Sequence, residues 1–267
     1  MIYIRASLLP YYFDCPRRGS CQLFGREIES YDYKLKWVSK GVAAIVGTAA
    51  HESAGHIVDG LAAQGERGKL ADATEKGIVK YRSEFEKGAE FDDVTPNNNH
   101  AEKQIETLTR SYYHEIAPAL DLGQIEREVS LKAQVDQDTI LSGHIDINSA
   151  QAVRDMKTGR PGGYLPQLGG YSLLRNSNGY NKARACFVDH LPRTPIAKPY
   201  PGARSIQVDR FLCEESAFST IKAIQNHYND FMKTGRPWAF PANPKSVLCN
   251  PKYCRAYGTA FCKLGGL

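Results

Sequence analysis

Apolar residues recur at two periods along the chain, and the change of period marks where helices give way to strands. From Val42 to Gln64 (VAAIVGTAAHESAGHIVDGLAAQ), Ala50, Ala54, Ile57, Val58 and Leu61 fall at helical spacing with few breakers besides Gly47 and Gly55, which predicts a helix holding His51. A second helix is expected near His100 to Ile116. The stretch between them, Gly65 to Asn99, is charged and ends in TPNNN, so residues 60–120 are expected to hold a surface helical insertion dispensable for chemistry. From Gln124 the period becomes two, with Ile125, Arg127, Val129, Leu131, Ala133 and Val135 in one row and Glu126, Glu128, Ser130 and Lys132 in the other. Turns at Asp136-Gln137-Asp138 and Asn148-Ser149-Ala150 then predict an antiparallel meander with strands at Thr139 to Asn148 and Gln151 to Lys157. After a glycine-rich loop, Leu165 to Leu174 places Gln167, Tyr171 and Leu174 on one helical face. A fourth strand is expected at Ala183 to Asp189, a proline-rich loop over Leu191 to Gly202, and a helix from Glu214 to Lys233.

The order αβββαβ suits an α/β domain with a mixed sheet flanked by helices. With 267 residues, 42% hydrophobic and 24% charged, the chain has the size and composition of a globular protein with a substantial core. Its 34 Lys and Arg against 29 Asp and Glu give a net charge of +5, which permits a polyanionic partner without demanding one. The opening MIYIRASLLPYYFDCPRR has no basic region followed by an unbroken apolar run, and Gly41 to Ala50 is too short to span a bilayer, so a cytoplasmic location is expected. Seven cysteines in a reducing compartment argue for metal ligation or buried thiols rather than a disulfide framework.

The segment GHIDINSAQAVRDMK (Gly143 to Lys157) changes the picture most. On a strand, Val153, Asp155 and Lys157 alternate with Ala152, Arg154 and Met156, so Asp155 and Lys157 point to one face, a short hairpin away from Asp146. Phosphodiester hydrolysis needs a water made nucleophilic at neutral pH and a place for developing negative charge, and a divalent ion supplies both. Asp146 and Asp155 are hard oxygen ligands suited to Mg²⁺ or Mn²⁺, and Lys157 can orient the water and offset the transition-state charge. A D-x-K tripeptide alone is common on exposed strands. His51-Glu52-Ser53-Ala54-Gly55-His56 is no zinc-protease motif, because histidines five apart diverge by about 140° around a helix.

Gly143 and Asp146, then Asp155-Met156-Lys157-Thr158-Gly159, then Gln167 and Tyr171 four apart, resemble the PD-(D/E)XK nuclease superfamily, and in particular its RecB-like branch. Gly47-Thr48-Ala49-Ala50-His51 matches that branch's GxxxH motif. The resemblance runs from about Ser7 to Cys262 and implies one nuclease domain over 1–267 with a restriction-endonuclease-like core. It implies His51, Asp146 and Asp155 as Mg²⁺ or Mn²⁺ ligands, Lys157 as the residue that positions water, and Gln167 and Tyr171 as residues that hold the substrate strand and brace the site. Of the upstream acids on the first strand, Glu128 is preferred over Glu126 as support behind the ligands; a solvated strand face is the alternative for both.

Cys249, Cys254 and Cys262 crowd the last nineteen residues, and Cys15 lies near the start in a CPRR context. Members of the branch join one N-terminal and three C-terminal cysteines around a [4Fe–4S] cluster, and these four fit that plan, with 236–267 as a cluster-binding segment joined to Cys15. Structural Zn²⁺ is chemically reasonable at the same sulfurs. Cys21 is a substitute ligand, and Cys186 and Cys213 are most simply buried thiols; free buried cysteines throughout are the alternative. Pro251, Lys252, Tyr253, Arg255 and Tyr257 interleave basic and aromatic residues beside the cysteines, and Arg17 and Arg18 are candidate phosphate contacts.

The resemblance thus implies an exonuclease yielding 5′-phosphates, serving DNA repair, recombination or phage DNA processing in a bacterial, archaeal or phage-infected cell. The expected partner is DNA with a free end or single-stranded, and beyond it a helicase, recombinase or integrase and further copies of the chain. The alternatives are a CRISPR-associated adaptation nuclease trimming spacer precursors and a non-catalytic iron–sulfur DNA-binding subunit.

Overall fold

Strand β1 (Ile2–Arg5) opens the chain, and three short helices, α1 (Leu9–Asp14), α2 (Pro16–Leu23) and α3 (Gly25–Ser30), follow it. Next come three longer helices, α4 (Val42–Gln64), α5 (Leu70–Phe85) and α6 (Asn98–Ser111), the last running into a π-helical turn at Tyr112–Ile116. The meander is β2 (Ile125–Asp136), β3 (Thr139–Ser149) and β4 (Ala152–Lys157), after which α7 (Leu165–Ser177), β5 (Ala185–His190), β6 (Arg204–Val208) and α8 (Arg210–Thr234) complete the regular elements. This computed structural model describes residues 1–120, 125–159 and 163–263. Among the described residues no helix is long and apolar enough to cross a membrane.

The six strands form one mixed sheet built on β3. Antiparallel β2 runs along one edge of β3. Its other edge is divided: β1 pairs with it in parallel over Thr139 to Ser142, and β4 pairs with it antiparallel only at Ile147 and Asn148. Beyond β4 lie parallel β5 and then antiparallel β6. Gly143 to Asp146 therefore lie where the edge of β3 passes from β1 to β4, a gap of the kind in which open α/β sheets gather their ligands.

Helices cover both faces. On one, α7 and α8 with the N-terminal helices and the C-terminal segment bury Leu9, Leu141, Val153, Leu168, Val188, Ile221, Phe240 and Phe261. On the other, α4, α5 and α6 bury Ile45, Ile57, Tyr81, Ile105 and Leu108 together with Ile147, Met156 and Leu191. The helices of 60–120 are therefore not a surface appendage. Tyr81 and Ile105 share a core with the strand that carries Lys157, and Gly77 packs so closely that an added Cβ would meet Ser53 of α4.

Local signals set the helix ends. Gly65 adopts a left-handed φ of 71° and closes α4, the Asn97 side chain accepts from the His100 N–H to start α6, and Asp209 accepts from the Leu212 N–H to start α8. Each side-chain cap contributes about 1 kcal/mol. β2 keeps the predicted alternation of exposed and more buried residues throughout. Strands β1 and β6 and helices α1 to α3 carry no comparable signal: β1 is four residues long and pairs with a segment far along the chain, and β6 is an edge strand with both faces largely exposed.

Candidate active site

Four elements bring their side chains to the gap beside β3. Helix α4 supplies His51, whose Nδ1 lies 3.3 Å from Asp146 Oδ2. Helical period sets this position, and the close approach of α4 depends on Gly47, where a Cβ would lie 3.0 Å from Thr158 Oγ1 at the end of β4. From β2 comes Glu128, and its carboxylate, His51 and Asp146 each offer a donor atom within 4.8 Å of the others. Among the described residues, this is the one group of three or more such donors that meets so closely.

Glu128 reaches the group through its backbone. Its φ of 53° is left-handed, a conformation that non-glycine residues rarely adopt, and regular pairing with β3 skips Glu128 and Asp146. Glu126, two residues earlier, instead accepts a 2.8 Å hydrogen bond from Asn148 Nδ2. Alternation alone treats these two glutamates as equivalent, and the kink separates them.

Asp146 bridges the opening between β3 and β4. The strands part after the Ile147–Arg154 pair, and Asp146 Oδ2 then accepts the Met156 N–H at 2.8 Å, replacing a ladder bond. Burial pushes its carboxyl up to about 6; His51 opposes this, Asp155 adds to it, and Lys157 and the Met156 N–H oppose it.

Asp155 and Lys157 share one face of β4 as the alternation predicts. Lys157 Nζ lies 2.5 Å from Asp155 Oδ2. Burial alone would lower the lysine, but the Asp155 and Asp146 carboxylates outweigh it and hold Lys157 above its ordinary value, so it is an ammonium. The other Asp155 oxygen accepts from Gln167 Nε2 at 2.9 Å, and the same amide nitrogen donates to the Tyr171 hydroxyl at 2.8 Å. Burial, and then the Asp155 and Asp146 carboxylates, raise Tyr171 well above the usual phenol range and keep it neutral. Its ring lies against Gly143, where a Cβ would be 2.9 Å from the ring edge. The absence of a side chain at Gly143 thus lets α7 pack onto β3 at that point.

The structure therefore brings together His51, Asp146, Asp155, Lys157, Gln167 and Tyr171, and adds Glu128 beside His51 and Asp146. Asp155, expected among the ligands, has its carboxylate turned to Lys157 and Gln167. Arg17 and Arg18, expected as phosphate contacts, are instead used by the fold. Arg17 donates to the carbonyls of Phe240 and Pro237, and Arg18 is buried, paired with Asp14 at 2.9 Å and placed over the Tyr11 ring. His56 lies outside the site.

Cys15, from the N-terminal helices, lies near Cys249, Cys254 and Cys262. Cys15, Cys254 and Cys262 are buried and Cys249 is partly so. Burial raises the Cys249 and Cys254 thiols, and the neighbouring Cys262 and Cys15 sulfurs raise both further. The Asn243 N–H points at Cys15 Sγ from 3.3 Å, and the Ala256 N–H hydrogen-bonds Cys254, so backbone donors face two of the four sulfurs. Cys21 adjoins the group, its thiol raised by burial and then by Cys254. Cys186 and Cys213 are fully buried elsewhere and hydrogen-bond each other, as simple core thiols would.

Neither a protein-family model nor a curated protein matches the chain.

Proposed function

We propose that the protein is a Mg²⁺- or Mn²⁺-dependent deoxyribonuclease of the PD-(D/E)XK type, acting as an exonuclease, with an iron–sulfur cluster joining its chain ends. The observation that carries this reading is the meeting of His51, Glu128 and Asp146 within 4.8 Å, directly beside the Asp155–Lys157 pair.

One imidazole and two carboxylates suit a hard or borderline divalent cation, so His51, Glu128 and Asp146 are assigned to hold it, with Asp155 adjoining. When bound, such an ion polarises a phosphoryl oxygen and makes water nucleophilic at neutral pH. Lys157, held as an ammonium, positions the attacking water and offsets charge on the phosphate. Asp155 fixes the lysine, Gln167 fixes Asp155, and the Tyr171 hydroxyl accepts from Gln167. A purely nucleic-acid-binding surface has no use for three carboxylates where a phosphate would lie. That argues for hydrolysis over a scaffold role.

At the other end, four bonds of about 2.3 Å at tetrahedral angles would hold zinc-bound sulfurs about 3.8 Å apart. Among the described residues no three cysteine sulfurs lie within 4.8 Å of one another. That wider spacing, with backbone N–H groups facing Cys15 and Cys254, suits a larger inorganic core. The cluster's role is to staple the termini.

Incubation of end-labelled single- and double-stranded DNA with Mg²⁺ or Mn²⁺ tests the activity. Shortening from an end that EDTA abolishes is expected; DNA left intact with either ion would overturn the proposal.

A further inference from the structure

Arg127 of β2 and Asp59 of α4 are joined by two hydrogen bonds, from Nε to Oδ1 at 2.8 Å and from Nη2 to Oδ2 at 2.9 Å. The guanidinium rests against Gly55, where an added Cβ would lie 2.3 Å from Nη1 and 2.8 Å from Cζ. His51, Gly55 and Asp59 follow one another at intervals of four and so form one stripe along α4. That stripe faces β2: His51 meets Glu128, while Gly55 and Asp59 hold Arg127.

A regular strand cannot supply both contacts. Successive strand residues point to opposite faces, yet Arg127 and Glu128 are neighbours and both reach α4. Their pairing partners locate the break. Arg127 pairs with Ile147, which is buried with α4 to α6, whereas Val129 pairs with Ile145, which is buried on the other face with α7 and α8. Between them stands Glu128, with its left-handed φ of 53° and no regular pair on β3. The residue tied to α4 by two bonds is thus the one immediately before the kink.

We propose that the Arg127–Asp59 pair, seated on Gly55, is a positioning device for the metal site: it holds β2 against α4 so that the Glu128 carboxylate turns to His51 and Asp146. The inference rests on the metal-binding part of the proposed function. Stability gives the pair little purpose, because the Asp59 side chain is 49% exposed and ion pairs so open to water contribute little. Neither Arg127 nor Asp59 is one of the three donors, so both act through Glu128.

Charge and position predict effects of opposite sign. Arg127 is a cation beside a cation site, with the Asp59, Glu128 and Glu52 carboxylates in its field. By charge alone its removal tightens Mn²⁺ binding. As a positioning residue, its removal weakens it.

The test is the Mn²⁺ affinity of the full chain, read from the electron paramagnetic resonance signal of free Mn²⁺. Arg127→Ala is expected to weaken binding about tenfold, as loss of a group that orients a ligand commonly does. Gly55→Ala is expected to weaken it too, because the methyl group displaces the guanidinium, although alanine favours the helix and resistance to urea should not fall. In a Glu128→Gln background neither substitution should change the affinity further, since the ligand they position is already gone. Unchanged or tighter binding in both variants, or an equal loss with and without Glu128, would overturn the proposal. A wild type that takes up no Mn²⁺ defeats the metal site and this role together. A protein that shows the expected Mn²⁺ pattern but never cleaves DNA defeats only the nuclease reading; one that cleaves with Mn²⁺ while both variants bind it like the wild type defeats only the positioning device.

Discussion

The Gln167 side chain donates to Asp155 at 2.9 Å from one turn of α7 before Tyr171, so a helix residue fixes the carboxylate that in turn fixes Lys157. Asp155 is 1% exposed and water cannot replace that donor. Gln167→Leu should therefore cost about 1–3 kcal/mol of stability, the penalty of a buried acceptor left unpaired. It should also slow hydrolysis about tenfold or more through a misdirected Lys157. Urea unfolding and single-turnover cleavage check the two effects separately.

Asp146 links stability to pH in the metal-free protein. Its folded value of about 6 lies above the unfolded value, so its ionisation opposes folding. The cost begins as pH rises past about 4, is complete above about 6, and has an upper bound of about 3 kcal/mol. Asp146→Asn should accordingly stabilise the protein in EDTA by about 1–3 kcal/mol near pH 8 and have little effect near pH 4. The same variant should lose the rise in Tm that Mn²⁺ gives the wild type, since a ligand that binds only the folded state stabilises it. Denaturation with EDTA and with Mn²⁺ reads both.

Anaerobically purified protein should be brown and contain iron and sulfide in equal amounts. Cys254→Ser should remove the iron and lower Tm, because metal binding at the joined ends is folding energy. Elemental analysis and visible absorption decide this: a colourless protein containing zinc would refute the cluster.

Much of the site is legible in the sequence because its geometry is local. A helix period delivers His51, strand alternation puts Asp155 and Lys157 on one face, and a spacing of four joins Gln167 to Tyr171. Glu128 is legible only as one of two equivalent glutamates, since strand alternation does not reveal the left-handed φ that breaks its pairing with β3. The pair Arg17-Arg18 misleads for a similar reason: a basic dipeptide beside a cysteine resembles a phosphate contact, yet its partners are the Asp14 carboxylate and carbonyls from the far end of the chain. Residues 60–120 look like an insertion because their polar faces dominate the sequence. Their few apolar positions, Tyr81 and Ile105 among them, close the second core.

The assignment of His51, Glu128 and Asp146 to the ion and of Lys157 to the water beside it is tested by Mn²⁺-dependent single-turnover cleavage of an end-labelled strand, with Mn²⁺ affinity measured in parallel. Lys157→Ala is expected to lose at least about a hundredfold in rate while still binding Mn²⁺, and Glu128→Gln and Asp146→Asn to lose both rate and affinity. Cleavage by Lys157→Ala at the wild-type rate, or wild-type Mn²⁺ affinity in both carboxylate variants, would contradict it.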